Sequence, residues 1–120
     1  MPAEGLRTEL VEGPIPVVRV AGELDLSTVS YLHRAIQAAA TQAPRPRLIV
    51  DLTGLDFCDS TGLRGLIRGV KEVDVLGGKA VVAVKPGGML EQLLDLSGLS
   101  EFLRVADSVE AAERRLTARS

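Results

Sequence analysis

Cysteine occurs once in these 120 residues, tryptophan is absent, and the aromatic residues are one Tyr and two Phe. A single Cys cannot form an internal disulfide, which suits a reducing compartment. Paired-Cys metal spacings are excluded for the same reason. The lone His33 has no companion for a metal site or a Ser–His–Asp triad, and reads as an exposed helix residue. With so few aromatic faces, the chain lacks the stacking platforms that hold single-stranded nucleic acid. Neither sign of charge dominates. Lys and Arg number 14 against 16 Asp and Glu, a net of −2, and no basic stripe marks a nucleic-acid footprint. The longest apolar run, Ala80-Val81-Val82-Ala83-Val84, is far short of the roughly 18 residues of a membrane helix. Met1-Pro2-Ala3-Glu4-Gly5 lacks the basic-then-apolar pattern of a secretory signal. A cytoplasmic protein is expected, without membrane insertion or direct nucleic-acid binding. Gly77-Gly78-Lys79 has neither the long glycine loop nor the following Ser or Thr of a phosphate-binding loop, and no G-x-G-x-x-G is present. No cofactor, metal or catalytic residue is therefore expected, and the chain does not read as an enzyme.

What is present is an alternation of strand and helix patterns. Hydrophobic residues make up 46% and charged residues 25% of the chain, an ordinary globular balance. The length fits one domain over residues 1–120, with residues 1–5 and 118–120 expected to be flexible ends. Thr8–Glu12 and Pro16–Val20, split by Gly13-Pro14, read as a β-hairpin. Val29, Leu32, Ile36 and Ala39 recur at helical spacing, with Ser27 or Asp25 as the expected cap, until Pro44-Arg45-Pro46 stops the helix. Leu48-Ile49-Val50-Asp51-Leu52 reads as a strand buried on both faces, followed by a loop from Thr53 to Asp59. A helix spans about Ser60 to Asp74 with Leu63, Leu66, Ile67, Val70 and Val73 as its apolar stripe, and Gly77-Gly78 closes it. Lys79–Val84 is a second buried strand. Met89, Leu90, Leu93 and Leu94 mark a short helix ending at Gly98. Phe102–Val105 reads as a last strand, and Asp107 with Glu110 opens a terminal helix as a capping-box variant. The order ββαβαβαβα predicts an α/β fold: a mixed, largely parallel sheet of four to five strands covered by about four helices.

The unusual segment is Asp56-Phe57-Cys58-Asp59-Ser60-Thr61-Gly62-Leu63, between the C-terminal end of a buried strand and a helix start. That edge of an open α/β sheet is where ligands and reactive groups gather. Asp59 or Ser60 serves as a helix cap on the plainer reading. On the sharper one, Ser60 is exposed for modification, where a phosphate adds roughly −1.5 to −2 charge. Gly62, Gly65 and Gly69 each weaken a helix interior relative to Ala. They imply either close packing of the helix on the sheet or a bare face for a partner. Arg64, Arg68 and Lys71 run along another face at i, i+4 and i+7, as solvated charges or as a match for an acidic patch. Gly22-Glu23-Leu24-Asp25 is a second polar turn. If both turns lie at one end of the sheet, Asp25, Asp59 and Ser60 form one acidic-hydroxyl surface. Cys58, beside Phe57 and Asp59, reads as a small buried hydrophobe without a redox role.

From about Val17 to Leu116 the chain resembles the STAS family, and within it the anti-sigma factor antagonists. Val18-Arg19-Val20-Ala21-Gly22-Glu23-Leu24-Asp25 carries the likeness first, then Leu48–Leu63 with its Asp-Ser-Thr-Gly-Leu core. Gly77–Val84 and Leu94-Asp95-Leu96-Ser97-Gly98-Leu99 follow. The resemblance implies a partner switch. The unmodified form binds an anti-sigma factor that is also a serine kinase, which releases a sigma factor. Phosphorylation at Ser60 ends the binding, and a serine phosphatase restores it. Thr61 stands where many relatives have a second Ser and is the second candidate for modification. Arg64 takes a place that is often small, which alters the docking helix. The implied partner-binding residues are Gly22, Glu23, Asp25, Asp59, Ser60, Thr61, Gly62, Leu63, Arg64 and Arg68, on a chain expected to be a monomer. Two other readings stand beside this one. The first is an unphosphorylated STAS accessory subunit of a lipid-transport ABC system. The second is a small nucleotide-binding protein or hydrolase, against which the missing phosphate loop counts.

Overall fold

A computed structural model describes residues 5–117. Ten elements follow one another: β1 (Leu6–Val11), β2 (Val17–Leu24), α1 (Val29–Ala40), β3 (Arg47–Cys58), α2 (Ser60–Val75), β4 (Lys79–Ala83), α3 (Met89–Ser97), a 3-10 turn (Ser100–Phe102), β5 (Val105–Ala106) and α4 (Val109–Thr117). The five strands form one sheet in the order β1-β2-β3-β4-β5. β1 and β2 pair antiparallel, and every other neighbouring pair is parallel. The mixed, largely parallel α/β sheet read from the sequence is the one observed.

Strand alternation divides the core in two. Val18 and Val20 of β2, Leu48, Val50 and Leu52 of β3, and Ala80 and Val82 of β4 face one side. There Leu32 and Ile36 of α1, Leu63, Leu66 and Val70 of α2, and Leu90 and Leu94 of α3 cover them. Val17, Ile49, Val81 and Ala83 face the other side, where Ala112 and Leu116 of α4 cover them, with Val109, Ala111 and Ile15 at the margin. β3 and β4 are therefore apolar on both faces, as parallel strands between helix layers must be.

Several boundaries differ from those read in the sequence. β3 does not yield to a loop at Thr53 but runs on to Cys58, because β2 continues beside it to Leu24. The register shifts twice along the way, between Arg19 and Ala21 and between Gly22 and Glu23. β4 ends opposite Asp51, so the later half of β3 carries the polar, exposed residues Thr53, Gly54 and Asp56 and mimics a loop. The last strand is Val105–Ala106 and not Phe102–Val105. Phe102 instead closes the 3-10 turn by donating its N–H to the Leu99 carbonyl at 3.0 Å. Neither Ser27 nor Asp25 caps α1, which begins after Thr28. At α4 the cap acceptor is Ser108 Oγ, 3.0 Å from the Ala111 N–H, in place of the Asp107–Glu110 pair. Gly5, expected in a flexible end, accepts the Glu23 N–H at 2.5 Å. The remainder of those ends, residues 1–4 and 118–120, lies outside the described residues.

Candidate functional site

Leu24 at the end of β2 pairs with Cys58 at the end of β3, and the Asp59 N–H donates to the Leu24 carbonyl at 3.3 Å. Both chains thus leave the sheet side by side, so Asp25 and Asp59–Ser60 are neighbours at its C-terminal edge. Both turns therefore lie at the same end of the sheet.

Each turn is built by local hydrogen bonds. Asp25 Oδ1 accepts from the Ser27 N–H at 3.0 Å and from the Ser27 hydroxyl at 2.7 Å. The Ser27 hydroxyl bond is the main cause that holds the Asp25 carboxyl below the ordinary aspartate range. The buried Thr28 hydroxyl accepts the Asp25 N–H at 3.0 Å and donates to the Glu23 carbonyl at 2.9 Å. Thr28 was not among the residues picked from the sequence, although a Thr directly before an apolar-periodic run is itself a helix-start signal. Gly22 is buried with φ +104, and a Cβ there would run into the Gly5 carbonyl. This glycine-permitted irregularity in β2 accompanies an exposed Glu23 and a buried Leu24.

In the second turn Asp59 takes the cap: its Oδ1 accepts the Gly62 N–H at 2.8 Å. Ser60 is the first residue of α2 and is exposed. Its hydroxyl makes no hydrogen bond among the described residues. Thr61 is half-buried, while Leu63 is buried within the core. Burial pushes the Cys58 thiol up to about 12, aided by the nearby Asp59 carboxylate. At that value the thiol stays protonated and unreactive, as its reading as a buried hydrophobe requires.

The α2 glycines serve close packing: Gly62 packs α2 on the end of the sheet strand β2, as read in the sequence, and Gly65 and Gly69 pack it on α1. None of the three forms an open docking face. A Cβ on Gly62 would lie 2.5 Å from the Leu24 carbonyl oxygen, one on Gly65 would strike Val29 Cγ2, and one on Gly69 would lie 2.8 Å from Ile36 Cδ1. His33 belongs to the same contact: it is half-buried, and its Nε2 lies 2.7 Å from the Gly65 carbonyl, to which it donates. The expectation of an exposed His33 fails because α1 and α2 approach closely enough for its ring to cover two side-chain-free positions. Arg64, Arg68 and Lys71 are exposed on α2. Arg64 and Lys71 line, with Ser60, a groove of about 550 Å³ between α2 and the α3–3-10 segment, whereas Arg68 does not. The far side of that groove, Leu93 and Phe102 included, was not legible in the sequence, since no local pattern states which helix faces which.

Among the described residues no cluster of His, Cys, Asp or Glu is arranged to hold a metal ion, and no helix is long and apolar enough to cross a membrane.

The STAS domain family model matches residues 8–112. An anti-sigma F factor antagonist of Lysinibacillus sphaericus is 31% identical over 107 residues, spanning 88% of this chain and 90% of its own. An anti-sigma factor antagonist from Mycobacterium paratuberculosis has a similar solved structure, with a TM-score of 0.81 at 24% identity, covering 98% of this chain and 100% of that one. The Bacillus cell fate determinant SpoIIAA, solved in its phosphorylated form, matches with a TM-score of 0.62 at 25% identity, over 92% of this chain and 98% of its own.

Proposed function

The chain belongs to the STAS domain family, and on that premise we propose that it is an anti-sigma factor antagonist switched by phosphorylation at Ser60. The unphosphorylated form binds an anti-sigma factor that is also a serine kinase, and a sigma factor is released. The kinase transfers a phosphoryl group to the Ser60 hydroxyl, binding ends, and a serine phosphatase removes the group again. The protein acts in the cytoplasm as a binding module, without catalysis of its own.

The observation that carries this reading is the division of labour between Asp59 and Ser60. Asp59 supplies the cap that α2 needs, so the exposed Ser60 hydroxyl is free to serve as a phosphoryl acceptor. A helix cap is worth about 1 kcal/mol, and a serine engaged in one would have to give it up. Asp25 and Asp59 already make this edge acidic. A phosphate adds roughly −1.5 to −2 charge to it, and docking would then desolvate like charges at a cost of several kcal/mol. Each 1.4 kcal/mol is about a factor of ten in affinity, so the switch spans orders of magnitude. The name of the Lysinibacillus relative and the phosphorylated form of SpoIIAA support the same reading. Glu23, Asp25 and Asp59–Arg64 form the docking edge. Thr61, half-buried, is the weaker acceptor.

The test is capture of partners from the chain's native cells on wild type, Ser60→Ala and Ser60→Asp, read by mass spectrometry. A small ATP-binding serine kinase recovered by the first two and not the third supports the proposal. A membrane transporter ATPase recovered by all three overturns it in favour of a lipid-transport accessory role.

A further inference from the structure

The groove between α2 and the α3–3-10 segment has one wall drawn from a single helix stripe. Ser60, Arg64, Ile67 and Lys71 follow one another at spacings of four, three and four along α2 and all line it. Buried Leu63 lies at its base, and Leu93 stands opposite. Phe102 closes the far end, half exposed, with the Lys71 ammonium 5.3 Å from its ring centre. The ion pairs among the described residues join Arg19 to Glu9 and Asp51, and Arg104 to Asp74. Arg64 and Lys71 have no carboxylate within ion-pair distance there. Asp95 and Glu101 are exposed on the α3 side, yet neither lines the groove.

We propose that this groove seats an acidic amphipathic helix of the protein partner. Its apolar stripe lies on Ile67 and Leu93, above the buried Leu63, and its carboxylates meet Arg64 and Lys71. From Ser60 to Lys71 the wall is about 16 Å long, or three turns. That length suits a helix that docks through i, i+4 and i+7 anchors. The spacing of the cations selects this occupant over a fatty acyl chain. Arg64 and Lys71 are about 10 Å apart along the axis, and carboxylates repeated along a helix match both, whereas a fatty acid has one anionic head. A second copy docking α2 against α2 would set like cations against each other. The inference rests on the phosphorylation reading in one respect. Ser60 stands at the groove's end, so its phosphate would meet the helix's carboxylates and drive the helix out.

The test uses the full chain, isotopically labelled for amide NMR. The probe is a synthetic four-turn helix with Leu along one stripe and Glu on the other faces. The same peptide with Lys in place of Glu, and dodecanoate, serve as comparisons. The expected result is saturable shifts at Leu63, Ile67 and Leu93 with the Glu peptide alone. Binding should weaken about tenfold or more in the Arg64→Glu, Lys71→Glu double variant, and severalfold in Ser60→Asp. No shifts with the Glu peptide, equal shifts with the Lys peptide, groove shifts with dodecanoate alone, or concentration-dependent shifts without any probe would overturn the proposal. Groove binding that is unchanged in Ser60→Asp upholds the groove and counts against the phosphorylation switch. A natural partner that responds to Ser60→Asp, with no shifts from the Glu peptide, upholds the switch and overturns the groove.

Discussion

Gly62 lies directly beneath the Leu24 carbonyl: a Cβ at position 62 would stand 2.5 Å from that oxygen. The same oxygen accepts the Asp59 N–H. One backbone atom at the end of β2 therefore fixes both the start of α2 and its closeness to the strand. Gly62 is itself buried and exposes no surface of its own.

Gly62→Ala accordingly forces α2 away from β2. Overpacking of this kind costs about 1–3 kcal/mol, and the cost falls on the site because the helix start must move. Thermal unfolding should show a Tm several degrees below wild type, with amide shifts at Asp25 and Ser60. An unchanged Tm would mean that α2 has slack at this contact.

Asp59 and Ser60 separate cleanly in stability. Asp59→Ala removes the acceptor for the Gly62 N–H and should cost about 1 kcal/mol, while Asp59→Asn should recover most of it. Ser60→Ala should fall within about 0.5 kcal/mol of wild type, as a surface change does. Urea unfolding of the three variants measures this. A larger loss for Ser60→Ala than for Asp59→Ala would make Ser60 the cap.

Asp25 sets a pH dependence at acid pH. Its carboxyl is held low chiefly by the Ser27 hydroxyl, so the folded state prefers it ionised. The stabilisation is present above the unfolded aspartate pKa and is lost as pH falls through the lower, folded one. That window lies below about pH 4. Titration of the Asp25 carboxyl carbon by NMR should give a value below 3.8, and Ser27→Ala should raise it. No rise in that variant would assign the effect elsewhere.

Cys58 sets the opposite limit. Its folded pKa, pushed to about 12 from 9.0, favours the neutral thiol in the folded chain. This contribution is whole below pH 9 and is lost as pH rises from there towards 12. At pH 8 an aromatic disulfide reagent should modify Cys58 only at the rate of unfolding. Rapid modification of the native chain would show the thiol to be open.

The middle of the sheet was legible in the sequence because it is simple. Residues 48–50 and 80–84 are apolar on both faces, and nothing but a covered parallel strand accounts for them. The later half of β3 was not legible. Its Thr53, Gly54 and Asp56 carry the composition of a loop, and only the presence of β2 alongside makes them a strand. The α2 glycines announced close packing on the sheet, which holds at Gly62, yet the sequence does not say that Gly65 and Gly69 pack against Val29 and Ile36 on α1. At the candidate site, Asp59 and Ser60 could be picked out but not told apart, because cap and first helical residue differ by one position. The groove behind Ser60 depends on how α3 and the 3-10 turn fold back beside α2, and local patterns carry no such information.

The claim that Ser60 phosphorylation releases a partner is tested most directly with the captured partner itself. The chain is incubated with that partner and Mg-ATP, the modified residue is mapped by fragmentation mass spectrometry, and both forms are titrated against the partner. The account predicts one phosphate, on Ser60, none on Ser60→Ala, and affinity lowered by about a hundredfold or more, as several kcal/mol requires. A phosphate elsewhere, or equal affinity for the two forms, would contradict it.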